Sequence, residues 1–181
     1  RPPRSTLFPY TTLFRSDGVG TLLRAASFDQ TRTATINDIG GILELIQPLE
    51  QEGVLVRRSR EKIEAAINDY TVLVRDGSVI ACAALHVEQD NKYAELACLV
   101  VDENYQKSGK GEELFLYIEE QAIKQGVEKL FILTTQTAHW FLERGFIEAD
   151  VNDLPVSRQE LTSYNSLIKL SIMASTSSSS T

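Results

Sequence analysis

Between Val100 and Gly111 the sequence reads VVDENYQKSGKG, an apolar run that breaks into a stretch with two lysines and two glycines before a helical pattern begins. A strand that feeds a helix through such a loop presents unpaired N–H groups and the positive end of the helix dipole. Glycine there lets an anion approach the backbone without a Cβ in the way. Gln106, Lys107, Ser108, Gly109, Lys110 and Gly111 are therefore candidates to hold the phosphate of a small ligand, and they equally suit a Gly-rich turn with two solvated lysines. The spacing is neither GxxxxGK[ST] nor GxGxxG. Upstream, Glu95 stands in an apolar run, where the residues alone read as a sheet-edge charge in water. Cys82 and Cys98 lie in apolar runs and read as reduced, buried thiols, which predicts a reducing compartment, the cytoplasm. The two histidines, His86 and His139, read as packing or surface groups, and no metal site is assigned.

Composition narrows the partner. The chain has 181 residues, 43% of them hydrophobic, enough for one domain with a proper core. Eighteen basic against 25 acidic side chains give a net charge of −7, which argues against nucleic acid and anionic membrane as partners. No stretch approaches the roughly 20 apolar residues of a membrane span. Thr6 to Ser16, TLFPYTTLFRS, resembles a translated sequencing-adapter oligonucleotide, so residues 1–16 are set aside as foreign to the fold. Those sixteen residues carry three arginines and no acid, and without them the charge is −10. Residues 17–32 read as a linker or the remnant of a preceding domain, 33–173 as the folded domain, and 174–181 as a Ser-rich tail expected to be disordered.

The elements that position these groups follow from periodicity. Ile39, Ile42, Leu43, Ile46 and Leu49 recur at helical spacing after Asn37-Asp38, until Pro48 and Gly53 disturb the pattern. Ser59 can cap a second helix with Ile63, Ala66 and Ile67 inward. The period then changes to two. Tyr70–Val74 and Val79–Val87 flank Asp76-Gly77, a hairpin signal, and Tyr93–Val101 is a further strand able to pair with the second arm. Beyond the glycine loop a helix is expected with Leu114, Phe115, Ile118, Ala122 and Ile123 on its apolar face and Gly126 as its C-terminal stop. Leu130–Leu133 reads as a buried strand, Thr137–Arg144 as a short helix, and Phe146 onward as a last strand. The order predicts an α+β fold around one mixed sheet flanked by helices.

Gln106 to Gly111 fits the Q/R-x-x-G-x-G/A signature of the GNAT superfamily of acetyltransferases, with a strand before it and a helix after it. QPLEQEGVLVRRSRE at Gln47–Glu61, IACAAL at Ile80–Leu85, AELACLVV at Ala94–Val101, KLFILTT at Lys129–Thr135 and HWFLERGF at His139–Phe146 accompany it. Together they resemble the acetyltransferase domain of the bacterial-type N-acetylglutamate synthase family, over roughly Thr33 to Pro155. The resemblance implies a GNAT fold that binds acetyl-CoA in a cleft of the sheet, and acetyl transfer to the α-amine of L-glutamate, the first step of arginine biosynthesis. It implies that Cys98, Leu99, Val100 and Val101 hold the pantetheine arm through backbone groups, that Gln106–Gly111 hold the pyrophosphate, and that a Cβ at Gly109 or Gly111 would obstruct it. It implies Glu95 as general base and Leu55, Arg57 and Cys98 as substrate-binding residues, Arg57 through a bidentate fork to a carboxylate. Arg58 and Arg60 read as a solvated helix entrance. Thr134, Thr135 and Thr137 would lie beside the cleft, with Thr137 taken as the hydroxyl that reprotonates the CoA thiolate; threonines at strand ends also satisfy backbone groups.

The chain departs from that family at three places. Phe141 stands where many of the superfamily have a proton-donating tyrosine. Gln136 stands for a common arginine, and Tyr164-Asn165-Ser166-Leu167-Ile168-Lys169 replaces an Arg-Arg-Ser-Lys run that helps bind the glutamate carboxylates, keeping only Lys169. Losing such partners weakens glutamate specificity more than the acetyl-CoA assignment. A GNAT enzyme for another amine, and an acyl-CoA-binding domain without turnover, are the alternatives, and a homo-oligomer remains open. Asp17–Thr21 looks like the end of an amino-acid-kinase-like domain, so a truncated chain without arginine feedback is expected.

Overall fold

The Asp76-Gly77 pair turns the chain through two left-handed residues, φ 50° and 80°, the geometry that matches the twist of a tight hairpin. On either side run β2 (Tyr70–Arg75) and β3 (Ser78–Val87), antiparallel, with β4 (Tyr93–Val101) antiparallel to β3. The computed structural model describes residues 28–90, 92–134, 138–162 and 169–174. The adapter-like segment, Thr135, Gln136, Thr137, residues 163–168 and the Ser-rich tail from 175 lie outside the described residues.

Around that hairpin the described chain builds one seven-stranded sheet, in the order β1-β2-β3-β4-β5-β7-β6, where β1 is Gln30–Thr33, β5 Lys129–Thr134, β6 Ile147–Ala149 and β7 Lys169–Ala174. Only β4 and β5 are parallel. The mixed sheet flanked by helices is the expected α+β arrangement. Two strands had no counterpart in the periodicity: β1, which takes three residues of the expected 17–32 linker, and β7, which inserts between β5 and β6.

Helices cover both faces. On one lie α1 (Ile39–Gln51) and α2 (Arg60–Ala65), burying Ile39, Ile42, Ile46 and Ile63 against Tyr70, Val72, Cys82 and Ala84. Alternation along the strands sends Leu73, Ala81, Ala83, Leu85 and Leu96 to the other face, where α3 (Lys110–Lys124) packs with Leu114, Phe115 and Ile118. Pro48 is accommodated inside α1, which runs on to Gln51. Ser59 caps α2 by accepting from the Lys62 N–H, and Gly126, with φ 80°, closes α3 as its N–H bonds Ile123 O and that of Val127 bonds Ala122 O. Ile123 is 48% exposed rather than inward, because at 3.6 residues per turn it falls off the buried stripe of Leu114, Phe115, Ile118 and Ala122. The chain then adds α4 (Ala138–Leu142) and α5 (Val156–Thr162), the second absent from the expected order. Among the described residues no helix is long and apolar enough to cross a membrane.

Candidate active site

Strands β4 and β5 are paired only at Tyr93–Lys129, Ala94–Leu130 and Glu95–Phe131. Beyond Glu95 they part, and a cleft of about 580 Å³ opens between them, lined on one side by Leu96–Val101 and on the other by Ile132, Leu133 and Thr134. A bulge bends β4 at the mouth of this opening. Cys82 faces Val100 and Ala84 faces Ala97, so two steps on β3 span three on β4. Cys98 takes up the extra residue with φ 53°, left-handed for a non-glycine residue, and the backbone groups around Cys98 and Leu99 fall out of the ladder with β3.

Glu95 stands at the floor, 9% exposed, the last β4 residue to pair with β5. It ion-pairs with Arg158 of α5, whose Nε also lies 2.8 Å from Glu88 Oε1, while Ser157 Oγ donates to Glu88 Oε2 at 3.1 Å. The Arg158 guanidinium lies 5.7 Å from the centroid of Phe131, the cross-strand neighbour of Glu95. So the carboxylate is held by a helix that periodicity missed. The signal was present in Leu154-Pro155, since proline favours a helix entrance and Pro155 O accepts from Arg158 N at 2.8 Å.

The connector between α1 and α2 forms the cleft's outer wall. Gly53, with φ 75°, ends α1, and Val54 and Leu55 donate their N–H groups back to Leu49 O at 2.8 and 3.1 Å. Arg58 N–H donates to Glu50 Oε1 at 2.7 Å, and its guanidinium to Val56 O at 3.0 Å. Leu55 and Arg58 line the cleft; Arg57 is exposed and outside the lining. The cation facing the cleft is therefore the neighbour of the one expected, because the fold-back onto α1 sets which side of the connector points in. Arg58 is the only Lys or Arg among the described lining residues.

Burial pushes the Cys98 thiol above its ordinary range, with Arg58 acting against that shift, and burial likewise raises Cys82 and Tyr70. Both cysteines are free, and Cys98 stays a neutral thiol near neutral pH. Phe141 lines the cleft at 5% exposure, packed against Trp140 and Phe146, so no phenol occupies that place. Thr134 lines the cleft; Thr135 and Thr137 are outside the described residues.

The glycine loop leads from β4 into α3. Cys98, Leu99, Val100, Val101 and Gln106 line the cleft, and the Gln106 amide donates to Val101 O at 3.2 Å. Lys107, Ser108, Gly109, Lys110 and Gly111 lie past its end, at the N-terminus of α3. Lys107 and Gly109 have φ 66° and 79°, and a Cβ on Gly109 would meet nothing within 4 Å. On Gly111 it would meet Val101 Cγ2 at 3.6 Å and Trp140 Cζ2 at 3.8 Å, ordinary packing contacts, so of the two glycines only Gly109 faces open space. Lys110 is not turned to that space alone: its ammonium ion-pairs with Asp29 and with Glu113. Among the described residues no three His, Cys, Asp or Glu side chains are grouped to hold a metal.

Comparison with known proteins places this geometry among relatives. The acetyltransferase (GNAT) family model matches residues 40–146. The amino-acid acetyltransferases of Serratia proteamaculans and Yersinia pseudotuberculosis are each 51% identical over 158 residues, covering 87% of this chain and 36% of theirs. N-acetylglutamate synthase from Neisseria gonorrhoeae, complexed with coenzyme A and N-acetyl-glutamate, superposes with a TM-score of 0.79 at 37% identity, covering 82% of this chain and 35% of that one. A GNAT acetyltransferase from Staphylococcus aureus shares the fold at 15% identity and a TM-score of 0.67, with 81% of this chain and 99% of that one aligned. The chain thus spans about a third of the length of the amino-acid acetyltransferases it matches.

Proposed function

We propose, for a chain that belongs to the acetyltransferase (GNAT) family, that it transfers the acetyl group of acetyl-CoA directly to the α-amine of L-glutamate. The observation that carries the reading is the parting of β4 and β5 just beyond Glu95, which sets a carboxylate at the floor of a cleft whose wall offers Arg58. Likeness to the amino-acid acetyltransferases and to a synthase bound to coenzyme A and N-acetyl-glutamate supports it.

The chemistry needs five things. Acetyl-CoA enters between the strands, its pantetheine arm along the backbone of Cys98–Val101 and its pyrophosphate at the N-terminus of α3, where unpaired N–H groups and the helix dipole favour an anion. Arg58 takes a carboxylate of the amino acid. Glu95 removes a proton from the ammonium, directly or through water, and the freed lone pair attacks the thioester carbonyl. Charge gathering on the carbonyl oxygen is met by backbone N–H at the Cys98–Leu99 bulge. The C–S bond then breaks, and the departing thiolate takes a proton from a hydroxyl at the end of β5, where Thr134 lies and Thr137 follows; Phe141 has none to give. The free cysteines suit a cytoplasmic setting.

The test is release of CoA thiol from acetyl-CoA with glutamate, aspartate, glutamine or no amine at matched concentrations. Release with glutamate alone is expected. Release with another amine instead of glutamate would overturn the substrate, and acetyl-CoA binding without release with any amine would overturn the activity.

A further inference from the structure

Asp29, one residue before β1, is held by two cations, one from β2 and one from the far end of the coenzyme loop. Arg75, near the end of β2, donates to it through Nε and one terminal nitrogen, at 2.5 and 2.7 Å. Lys110, the first residue of α3, ion-pairs with the same carboxylate and reaches Glu113 at 2.9 Å. Glu113 in turn accepts from Thr31 Oγ1 at 3.4 Å. The Arg75 guanidinium also lies 5.0 Å from the centroid of the Tyr105 ring, and Tyr105 O accepts from both the N–H and the hydroxyl of Ser108. The start of the loop, Tyr105, and its end, Lys110, therefore both hang on the Arg75–Asp29 pair. What lies between contains two left-handed residues, Lys107 and Gly109, a shape the backbone does not keep unaided when one of them carries a side chain.

We propose that Asp29 is a positioning residue for the coenzyme: with Arg75 and Lys110 it braces the Tyr105–Gly111 loop so that its N–H groups are arranged before acetyl-CoA arrives. This rests on the acetyl-CoA reading of the cleft given above. It also reassigns Lys110. A lysine at the entrance of α3 looks like a cation for phosphate, whereas here its charge is matched by Asp29 and Glu113 and its work is to fasten the helix to the strand edge. The three side chains are largely covered, 14% exposed for Asp29, 15% for Lys110 and 25% for Arg75, so water competes weakly for the pair.

The experiment is calorimetric titration of acetyl-CoA into the full chain and its Asp29→Asn variant, with amide hydrogen exchange of the Gln106–Gly111 loop in the coenzyme-free proteins. Preorganisation predicts that Asp29→Asn weakens acetyl-CoA binding about tenfold and speeds loop exchange to a similar extent, while KM for glutamate at saturating acetyl-CoA and kcat change less than about twofold. Asp29→Glu should recover most of the affinity. Lys110→Gln added to Asp29→Asn should cost nothing further, since both remove one brace. Unchanged or tighter binding with unchanged exchange in Asp29→Asn overturns the brace, and an additive loss from Lys110→Gln restores Lys110 as a phosphate ligand. Absence of acetyl-CoA binding by the unaltered chain overturns the coenzyme reading together with the brace.

Discussion

Arg158 is ion-paired with Glu95 at the point where β4 and β5 separate, so the carboxylate at the cleft floor is tied to α5 rather than standing free in the sheet. The same guanidinium reaches Glu88, just past the end of β3 and two residues after His86, the cross-strand partner of Glu95. One cation thus serves two carboxylates beside the cleft.

Removing the base isolates its role. Glu95→Gln keeps the shape and the hydrogen-bonding length but cannot accept a proton, and the rate of CoA release should fall by about 10²- to 10⁴-fold. Acetyl-CoA affinity, measured calorimetrically, should stay within about threefold. Equal turnover would place the base elsewhere.

Arg158 should matter to stability as well as to the site. Arg158→Met leaves Glu88 and Glu95 without their shared partner, and Glu95 is nearly buried. A loss of about 1–3 kcal/mol in urea unfolding is expected, the cost of an unsatisfied buried polar group. The double variant Arg158→Met with Glu95→Gln should recover part of it, because no buried charge is then stranded.

The two neighbouring arginines should separate cleanly. Arg58→Ala should raise KM for glutamate about 10- to 100-fold, the worth of a charge-assisted hydrogen bond. Arg57→Ala, which removes an exposed side chain outside the lining, should change it less than about threefold. The reverse pattern would mean that the connector turns its other face inward when substrate binds.

Acid should unfold the chain through two carboxylates. The Arg75 guanidinium holds Asp29 at a pKa of about 2, and the Arg32 guanidinium, with Thr35, holds Asp38 at about 2, against an ordinary value of 3.8. A carboxyl depressed in the folded state stabilises fully above its unfolded pKa, and that contribution is lost as pH falls toward the folded value. Unfolding free energy should therefore decline from about pH 4 down to about pH 2, with Asp38→Asn reducing the slope. A flat profile over that window would contradict both pairs.

Packing of α1 on the sheet offers a test away from the chemistry. A Cβ on Gly41 would lie 2.8 Å from Val79 Cβ and Cγ2, closer than side-chain atoms approach. Gly41→Ala should lower stability by about 1–3 kcal/mol, and Val79→Ala in the same chain should relieve most of it. Gly40→Ala, with nothing within 4 Å, serves as the neutral control.

Local chemistry was legible in the order of residues. The Asp-Gly turn, the Ser59 cap, the Gly126 stop and the alternation of β2, β3 and β4 depend on neighbours a few positions apart, and each appears where its pattern stands. The glycine loop and Glu95 were likewise visible as residues; the structure puts Glu95 and Gln106 in the lining of one cleft and Lys107–Gly111 past its end. What the order of residues alone could not determine was which side chains meet across long separations. Strand β7 enters between β5 and β6 because pairing partners are chosen by the assembled sheet and not by periodicity. Arg158 reaches Glu95 across sixty-three positions, and Asp29 reaches Lys110 across eighty-one. Arg58 faces the cleft in place of Arg57 because Val54 and Leu55 fold back onto Leu49, a hydrogen-bonding choice made by the end of α1. Ion pairs between distant segments carry no local signature, and only the tertiary structure decides which charges become neighbours.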